Sequence, residues 1–455
     1  MSFPAYPEYK NTEIPWMQRI PSSWQLLPFF SRFFERKESN KGMKSENLLS
    51  LSYGRIVRKD ITTLEGLLPA SFETYQVVHP GDIVFRLTDL QNDKRSLRSA
   101  IVNEKGIITS AYLAVSAKDF NPSFSNYLFR AYDLMKVFYS MGGGLRQSMK
   151  YDDMKWLQIV CPSINEQTQI ARFLDHETAK IDALIREQAR LIKLLHEKRQ
   201  AVISHAVTKG LDPYVPMKDS EVEWLGEVPA HWDVSRLKFA TSLIIDCPHE
   251  TPNYDPEGEF LVIRTADIHE GLLKPTSMYR LKKQDFVHRT RRAALRKLDI
   301  VYGREGERWG HAALVPENGM FCLGQRMMQF RVNDEFDAHF LMYQLNSTSV
   351  YRQGDLDTVG ATSPHVNVST IRNYDISCPP KGEQVVIGEY LEQVLSRYDE
   401  LINESAKSSL MLKERRSALI SAAVTGKIDV RDWQPPGDES AFDEEVRQAG
   451  REVTA

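Results

Sequence analysis

Cysteine is scarce in this chain. Cys161, Cys247, Cys322 and Cys378 lie far apart with no CxxC pair. That spacing argues against a zinc ribbon or a disulfide frame and fits a reducing cytoplasm. No run approaches the 18 apolar residues a membrane helix needs, and the opening MSFPAYPEYK has no basic-then-apolar signal. A soluble, cytoplasmic chain is the expectation. Charge of one sign is missing too: the net of −3 over 455 residues means that any nucleic-acid surface must be local. Catalytic signatures are also absent, with no Walker loop, HExxH, GxSxG or GxGxxG. Asn121-Pro122-Ser123-Phe124 approaches the adenine-methyltransferase tetrapeptide but lacks its second proline. Asp153-Met154-Lys155 and Glu35-Arg36-Lys37 each resemble half of a nuclease metal motif without a partner carboxylate. His249, His311 and His365 stand apart, so no metal set is expected. The chain reads as a binder.

A repeat is what the sequence does contain. Shifted by 217 residues, Cys161 to Asp212 lies over Cys378 to Asp429 without a gap, and 21 of the 52 aligned residues are identical. Such identity marks a duplicated unit. Both copies are rich in Leu, Ala, Glu, Lys, Arg and Gln, which predicts one long helix in each. Apolar residues recur at alternating steps of three and four. The expected seam is Ile170, Leu174, Glu177, Ile181, Leu184, Gln188, Leu191, Leu195, Lys198, Val202, His205. In the second copy it runs Ile387, Leu391, Val394, Tyr398, Leu401, Ser405, Ser408, Leu412, Arg415, Leu419, Ala422. This is a coiled-coil pattern, broken by polar residues at matching places. About 40 residues at 1.5 Å each give a rod of roughly 60 Å.

Each copy is preceded by a proline-and-aromatic strap. Tyr6, Lys10, Trp16, Pro21 and Trp24 recur at a shift of 208 as Tyr214, Lys218, Trp224, Pro229 and Trp232. The tryptophans are expected to be packing anchors. Mixed regions follow, with strands expected at GDIVF (81–85), ITSAYLAV (108–115), LDIVYGREG (298–306) and FCLGQRMMQFRV (321–332). A helix is expected near Tyr127 to Tyr139 and a basic loop at Asn92 to Arg98. In the second region Lys282, Lys283, Arg289, Arg291, Arg292, Arg296 and Lys297 crowd together with only Asp285 against them. Arg304 and Arg308 follow beside Gly303 and Gly306. Guanidinium groups near glycine-rich backbone suit phosphate contact and guanine reading. A charge run is equally the mark of a plain solvated face. The stretch from Trp433 to Ala455 is acidic and proline-led.

Taken together these motifs resemble the specificity subunits of type I restriction-modification enzymes, over nearly the whole chain. The carriers are Cys-Pro-x-x-x-Glu-Gln at each helix entry, Arg-x-Ala-x-Ile-Ser-x-Ala-Val-Thr at each exit, GATSPHVNVSTIRNYDI, and the GDIVF and DIVYGREG strands. The first half has GGLRQSMKYDDMKWLQI where the second has GATSPHVNVSTIRNYDI. The resemblance implies an α+β fold with two mixed α/β target-recognition domains. These are joined by two long helices in an antiparallel coiled coil with pseudo-twofold symmetry. The expected divisions are 1–160, first recognition domain; 161–212, first helical spacer; 213–377, second recognition domain; 378–429, second spacer; 430–455, acidic tail.

The resemblance further implies a non-catalytic subunit. Each recognition domain would read one half of a split, asymmetric site in double-stranded DNA. The helices would set the spacing and carry two modification subunits, with two restriction subunits outside them. S-adenosylmethionine, ATP and magnesium would belong to those partners, and no cofactor to this chain. The candidate DNA-facing residues are Arg86, Lys94, Arg95, Arg98, Arg146, Lys282, Lys283, Arg289, Arg291, Arg292, Arg304, Arg308 and His365. The candidate partner-facing residues on the helices are Glu166, Gln167, Leu174, Arg199, Glu383, Gln384, Leu391 and Arg416. Two other readings remain at this point: an adaptor whose heads bind only proteins, and a self-sufficient methyltransferase.

Overall fold

The structure is a computed structural model that describes residues 3–62, 71–88, 90, 97–141, 148–269, 271–306, 308–358 and 364–436. The chain divides into two compact units. The first takes Met1–Ala189 with Lys407–Ala455, the second Arg190–Ala406. The divisions between units therefore fall inside the long helices, because each half-helix packs on a head.

In the first unit the apolar, β-branched runs form a four-stranded antiparallel sheet. Its order is Phe33–Glu35, Leu113–Ala117, Ile83–Phe85, Ser99–Ile101. The second unit repeats that order with Thr241–Asp246, Met327–Val332, Ile300–Gly303 and Ala312–Leu314. Two expected strands are each split by a turn. ITSAYLAV becomes Gly106–Ile108 and Leu113–Ala117; FCLGQRMMQFRV becomes Phe321–Leu323 and Met327–Val332. The first piece of each joins a smaller sheet, and there the heads differ. Gly106–Ile108 pairs antiparallel with Gln76–Val78. Phe321–Leu323 lies parallel to Phe260–Ile263 in a three-stranded sheet with Tyr279–Leu281.

The straps fold alike. Tyr9 pairs with Pro21 and Met217 with Pro229, in the same register at the sequence shift of 208. Each strap continues into a strand that pairs with the entry to a long helix, Gln25 opposite Cys161 and Asp233 opposite Cys378. Each proline ends a two-stranded edge, where a missing N–H costs no ladder bond.

The long helices span Ile164–Lys209 and Lys381–Val424. Inside the first unit, Ile170 and Leu174 share one apolar core with Ile420, Ala423 and Val424, along with Trp24, Phe29, Phe33, Phe85 and Phe129. Inside the second, Ile203, Ala206 and Val207 share a core with Ile387, Leu391 and Leu395, along with Trp232, Tyr302, Phe330 and Phe340. Burying each such side chain contributes about 1.5–3 kcal/mol, which outweighs the few tenths that a helix-face ion pair supplies.

The expected seam is off by one at every second position. Leu184, Leu191 and Leu401 are 49%, 42% and 48% exposed, while Ile185, Ile192 and Ile402 are half-buried. Lys198 and Arg415 face out, and their neighbours Arg199 and Arg416 turn inward. Steps of three and four start equally well from either phase, because leucine and isoleucine stand side by side and are equally apolar. Each helix ends at a glycine in the left-handed region, Gly210 (φ 74°) and Gly426 (φ 73°), as a C-terminal cap requires. A Cβ on Gly426 would meet Pro21 at 2.4 Å, so the strap crosses the helix end in contact with bare backbone. Among the described residues, no helix is long and apolar enough to cross a membrane.

Candidate nucleic-acid interface

The Glu-Gln pair at each helix entry locks a head to its helix. Trp24 Nε1 and Tyr6 Oη donate to Glu166 Oε1 at 2.9 and 2.7 Å. In the second unit Trp232 Nε1 donates to Glu383 Oε2 at 3.0 Å, and His231 Nε2 lies 2.9 Å from the same oxygen. Burial, followed by the Glu166 carboxylate, pushes the Tyr6 hydroxyl far above its ordinary range, so it remains a donor.

The glutamines repeat a second lock. Gln167 accepts from the Asn121 N–H at 2.8 Å and donates to the Pro162 carbonyl at 2.9 Å. Gln384 accepts from the Asp337 N–H at 2.8 Å and donates to the Pro379 carbonyl at 2.8 Å. Asn121 and Asp337 are themselves the N-caps of the head helices Pro122–Leu134 and Ala338–Leu345. One glutamine thus ties a helix entry to the cap of the helix beside it.

These contacts correct the expected partner-facing set. Gln167, Gln384, Leu174 and Leu391 are buried in their own unit, and Glu166 and Glu383 are occupied by the strap. Arg199 donates to Asp399 at 3.0 Å in the second unit. Arg416 lies 2.9 Å from Asp182 in the first. All eight side chains make contacts inside their own unit, and Glu166, Glu383 and Arg416 are half-buried while doing so.

The cations sort into two kinds. Arg98 is fully buried, its Nη1 donating to the Thr88 carbonyl at 2.9 Å while its backbone N–H meets Asp133 at 2.6 Å. Arg289 is buried as well, donating to the carbonyls of Leu323 (2.9 Å), Glu250 (3.0 Å) and Pro248 (3.3 Å). Arg304 donates to Asp246 at 3.1 Å and to the Val366 carbonyl at 3.3 Å, and pairs with Glu305 at 2.7 Å. A guanidinium desolvated this way is held by fixed acceptors. Arg98, Arg289 and Arg304 therefore cannot meet DNA directly. Sequence charge alone could not show this, because the acceptors come from distant segments.

The exposed cations are Lys282, Lys283, Arg291, Arg292 and Arg308; Arg86 and His365 are half-buried. Four of them flank or begin the helix Lys283–Thr290. That helix is fixed by Arg289 and by Phe286, whose ring stacks on Phe260 at 4.0 Å. Lys282 pairs with Asp255 at 2.6 Å and Arg291 meets His288 at 3.3 Å. Lys94, Arg95 and Arg146 lie outside the described residues. Sequence reading missed Arg326, which is half-exposed in the turn between the two split strands and 3.9 Å from Glu305. The GQR turn itself was the available signal. Among the described residues no cluster of His, Cys, Asp or Glu is arranged to hold a metal.

The GDIVF and LDIVYG motifs owe their aspartate to packing. Asp82 is held by both guanidinium arms of Arg36 at 3.0 and 2.8 Å. Asp299 is held by Arg331 at 2.7 and 2.7 Å.

Residues 247–408, which include the exposed basic helix, match the family described as the type I restriction modification DNA specificity domain. This chain is similar to type I restriction-modification specificity subunits. A Methanocaldococcus jannaschii protein described as a candidate type I restriction enzyme MjaX specificity subunit is 24% identical over 444 residues, 93% of this chain and 97% of its own length. The EcoKI specificity subunit of Escherichia coli K12 is 24% identical over 219 residues, covering 45% of this chain and 44% of that one. Among solved structures, a chain of a type I R-M system aligns with a TM-score of 0.66 at 17% identity, over 89% of this chain and 98% of that one. The HsdS subunit of Thermoanaerobacter tengcongensis aligns at 0.50 and 18%, over 90% and 98%. The structural likenesses establish a shared fold, mixed α/β with long helices. The relatives are specificity subunits by name.

Proposed function

We propose that this chain is the DNA-reading subunit of a type I restriction-modification complex. Each head reads one half of a split, asymmetric duplex site. The long helices pair as an antiparallel coiled coil, set the distance between half-sites, and carry two modification subunits on their outward faces. Two restriction subunits join outside them. S-adenosylmethionine, ATP and magnesium act in those partners, in the cytoplasm.

The observation that carries this reading is the duplicated lock. Trp24–Glu166 and Trp232–Glu383 fix two heads by the same hydrogen bonds, while the smaller sheets of those heads diverge. Identical mounts with dissimilar faces suit two readers of different half-sequences. The exposed basic helix supplies the phosphate contacts that such reading requires.

Sequencing the modified bases of the host genome, with and without the gene, tests the proposal. A split motif that loses methylation on deletion is the expected result. An unchanged methylation pattern, together with no salt-dependent shift of a labelled duplex, leaves the protein-binding adaptor standing.

A further inference from the structure

Two buried arginines grip one short segment of the second head. Asp246 ends the strand Thr241–Asp246, and Cys247, Pro248, His249 and Glu250 follow it. From the basic helix, Arg289 donates to the carbonyls of Pro248 and Glu250. Arg304 donates to the Asp246 carboxylate and to the Val366 carbonyl. Arg289 and Arg304 are each 8% exposed, and neither can leave its acceptors without stranding a charge in the interior. The segment is therefore held more rigidly than an ordinary surface loop.

Above this grip sits a balanced cluster. Asp246 Oδ2 lies 3.0 Å from His249 Nε2, whose side chain is 64% exposed. Glu305, paired with Arg304 at 2.7 Å, is also 3.9 Å from Arg326 Nε, whose side chain is 48% exposed. His365 joins through a backbone bridge to Glu305. Two carboxylates thus face two guanidinium groups, and their charges offset. Such a patch attracts phosphate weakly. The basic helix beside it, with Lys282, Lys283, Arg291 and Arg292 against Asp285, attracts phosphate strongly.

We infer that His249 and Arg326 read base edges in the half-site of the second head, and that Arg304 is the positioning residue that aims them. The inference rests on the DNA-reading function proposed above and assigns that function to particular side chains. A guanidinium with a carboxylate 3.9 Å from its Nε edge keeps its Nη groups for the two acceptors of guanine in the major groove. An imidazole whose Nε2 is taken by Asp246 presents Nδ1 outward as its remaining polar atom. Arg304 touches no base; it fixes Asp246, which holds His249 at 3.0 Å, and Glu305, whose charge stands 3.9 Å from Arg326.

The test is selection from a random duplex library with the full-length chain, purified from its own cells with the subunits that accompany it. Arg326→Ala and His249→Ala are expected to lower discrimination by roughly 5- to 100-fold at adjacent positions of one half-site. The other half-site and the salt dependence should stay as in the parent. Arg304→Lys should blur the same positions, and Arg326→Lys should fail to restore them. Thermal unfolding of the two surface variants should match the parent. If the parent enriches a split sequence and these variants enrich it equally, or lose affinity evenly with a shallower salt slope, the assignment is overturned while DNA reading stands. If the parent enriches nothing, DNA reading falls and the assignment with it.

Discussion

Arg199 and Asp399 meet at 3.0 Å between the two long helices of the second unit. Their counterparts at the sequence shift of 217, Arg416 and Asp182, meet at 2.9 Å within the first. The Arg199 side chain is 7% exposed and Asp399 34%. Asp399→Ala should therefore cost about 1–3 kcal/mol, less than the ~3–5 of a fully buried pair because one partner keeps some water. Asp182→Ala should cost less, since both members of that pair are a quarter or more exposed. Urea denaturation of the two variants measures the difference, and equal losses would count against burial as the cause.

Gly426 and Gly226 separate backbone strain from steric overlap. Both have positive φ, 73° and 62°, but a Cβ on Gly226 meets nothing within 4 Å while one on Gly426 strikes Pro21. Gly226→Ala should lose about 1–2 kcal/mol from the left-handed backbone alone. Gly426→Ala should lose clearly more, because the strap must shift off the helix end. Melting temperatures of the pair decide this; a loss at Gly426 no greater than at Gly226 would mean that the strap yields freely.

Asp133 should give a stability that rises in acid. Burial raises its carboxyl above the ordinary range, against the pull of the Arg98 N–H, Arg130, Lys136 and the Arg98 side chain. One carboxylate oxygen, Oδ1, has no hydrogen-bond partner among the described residues. A group with a raised folded-state pKa contributes stability that is full below its unfolded value and fades as pH climbs through the folded one. Asp133→Asn removes the charged form. The variant should match or exceed the parent at pH 7 and lose that advantage in acid. Melts at pH 7 and in acid test it, and a pH-independent difference would show that the carboxyl is not the cause.

The basic helix should govern salt dependence. Removing one cation that neutralises a phosphate makes the slope of log affinity against log salt shallower by about 0.9. Alanine at Lys283, Arg291 and Arg292 should weaken binding to every duplex alike and flatten that slope stepwise. Arg289→Ala should act through the unfolding temperature, since its guanidinium is spent on three carbonyls. Filter binding across a salt series distinguishes the two patterns.

Much of this architecture is legible in the sequence. The repeat, the long helices and the strap tryptophans follow from spacing and composition, which local chain physics largely determines. What escaped depended on long-range partners. Arg98, Arg289 and Arg304 read as surface cations until carbonyls from remote segments close on them. Gln167 and Gln384 read as docking groups until the caps of Asn121 and Asp337 reach them. The helix seam slips by one because Leu184 and Leu191 are as apolar as Ile185 and Ile192 beside them, and only the facing core chooses between the phases. Arg326 is easily passed over because one cation in a turn carries no weight until Glu305 stands beside it.

The first unit's core draws on Ile420, Ala423, Val424 and Val430, whereas the second is one unbroken stretch, Arg190–Ala406. During synthesis the second can therefore close as soon as it leaves the ribosome. Phe29, Phe33, Phe85 and Phe129 pack on one another, but their core gains its last apolar wall, Ile420 to Val430, only after the whole second unit has been made. A chain released before residue 420 therefore lacks one wall of its first core, while its second unit is already whole.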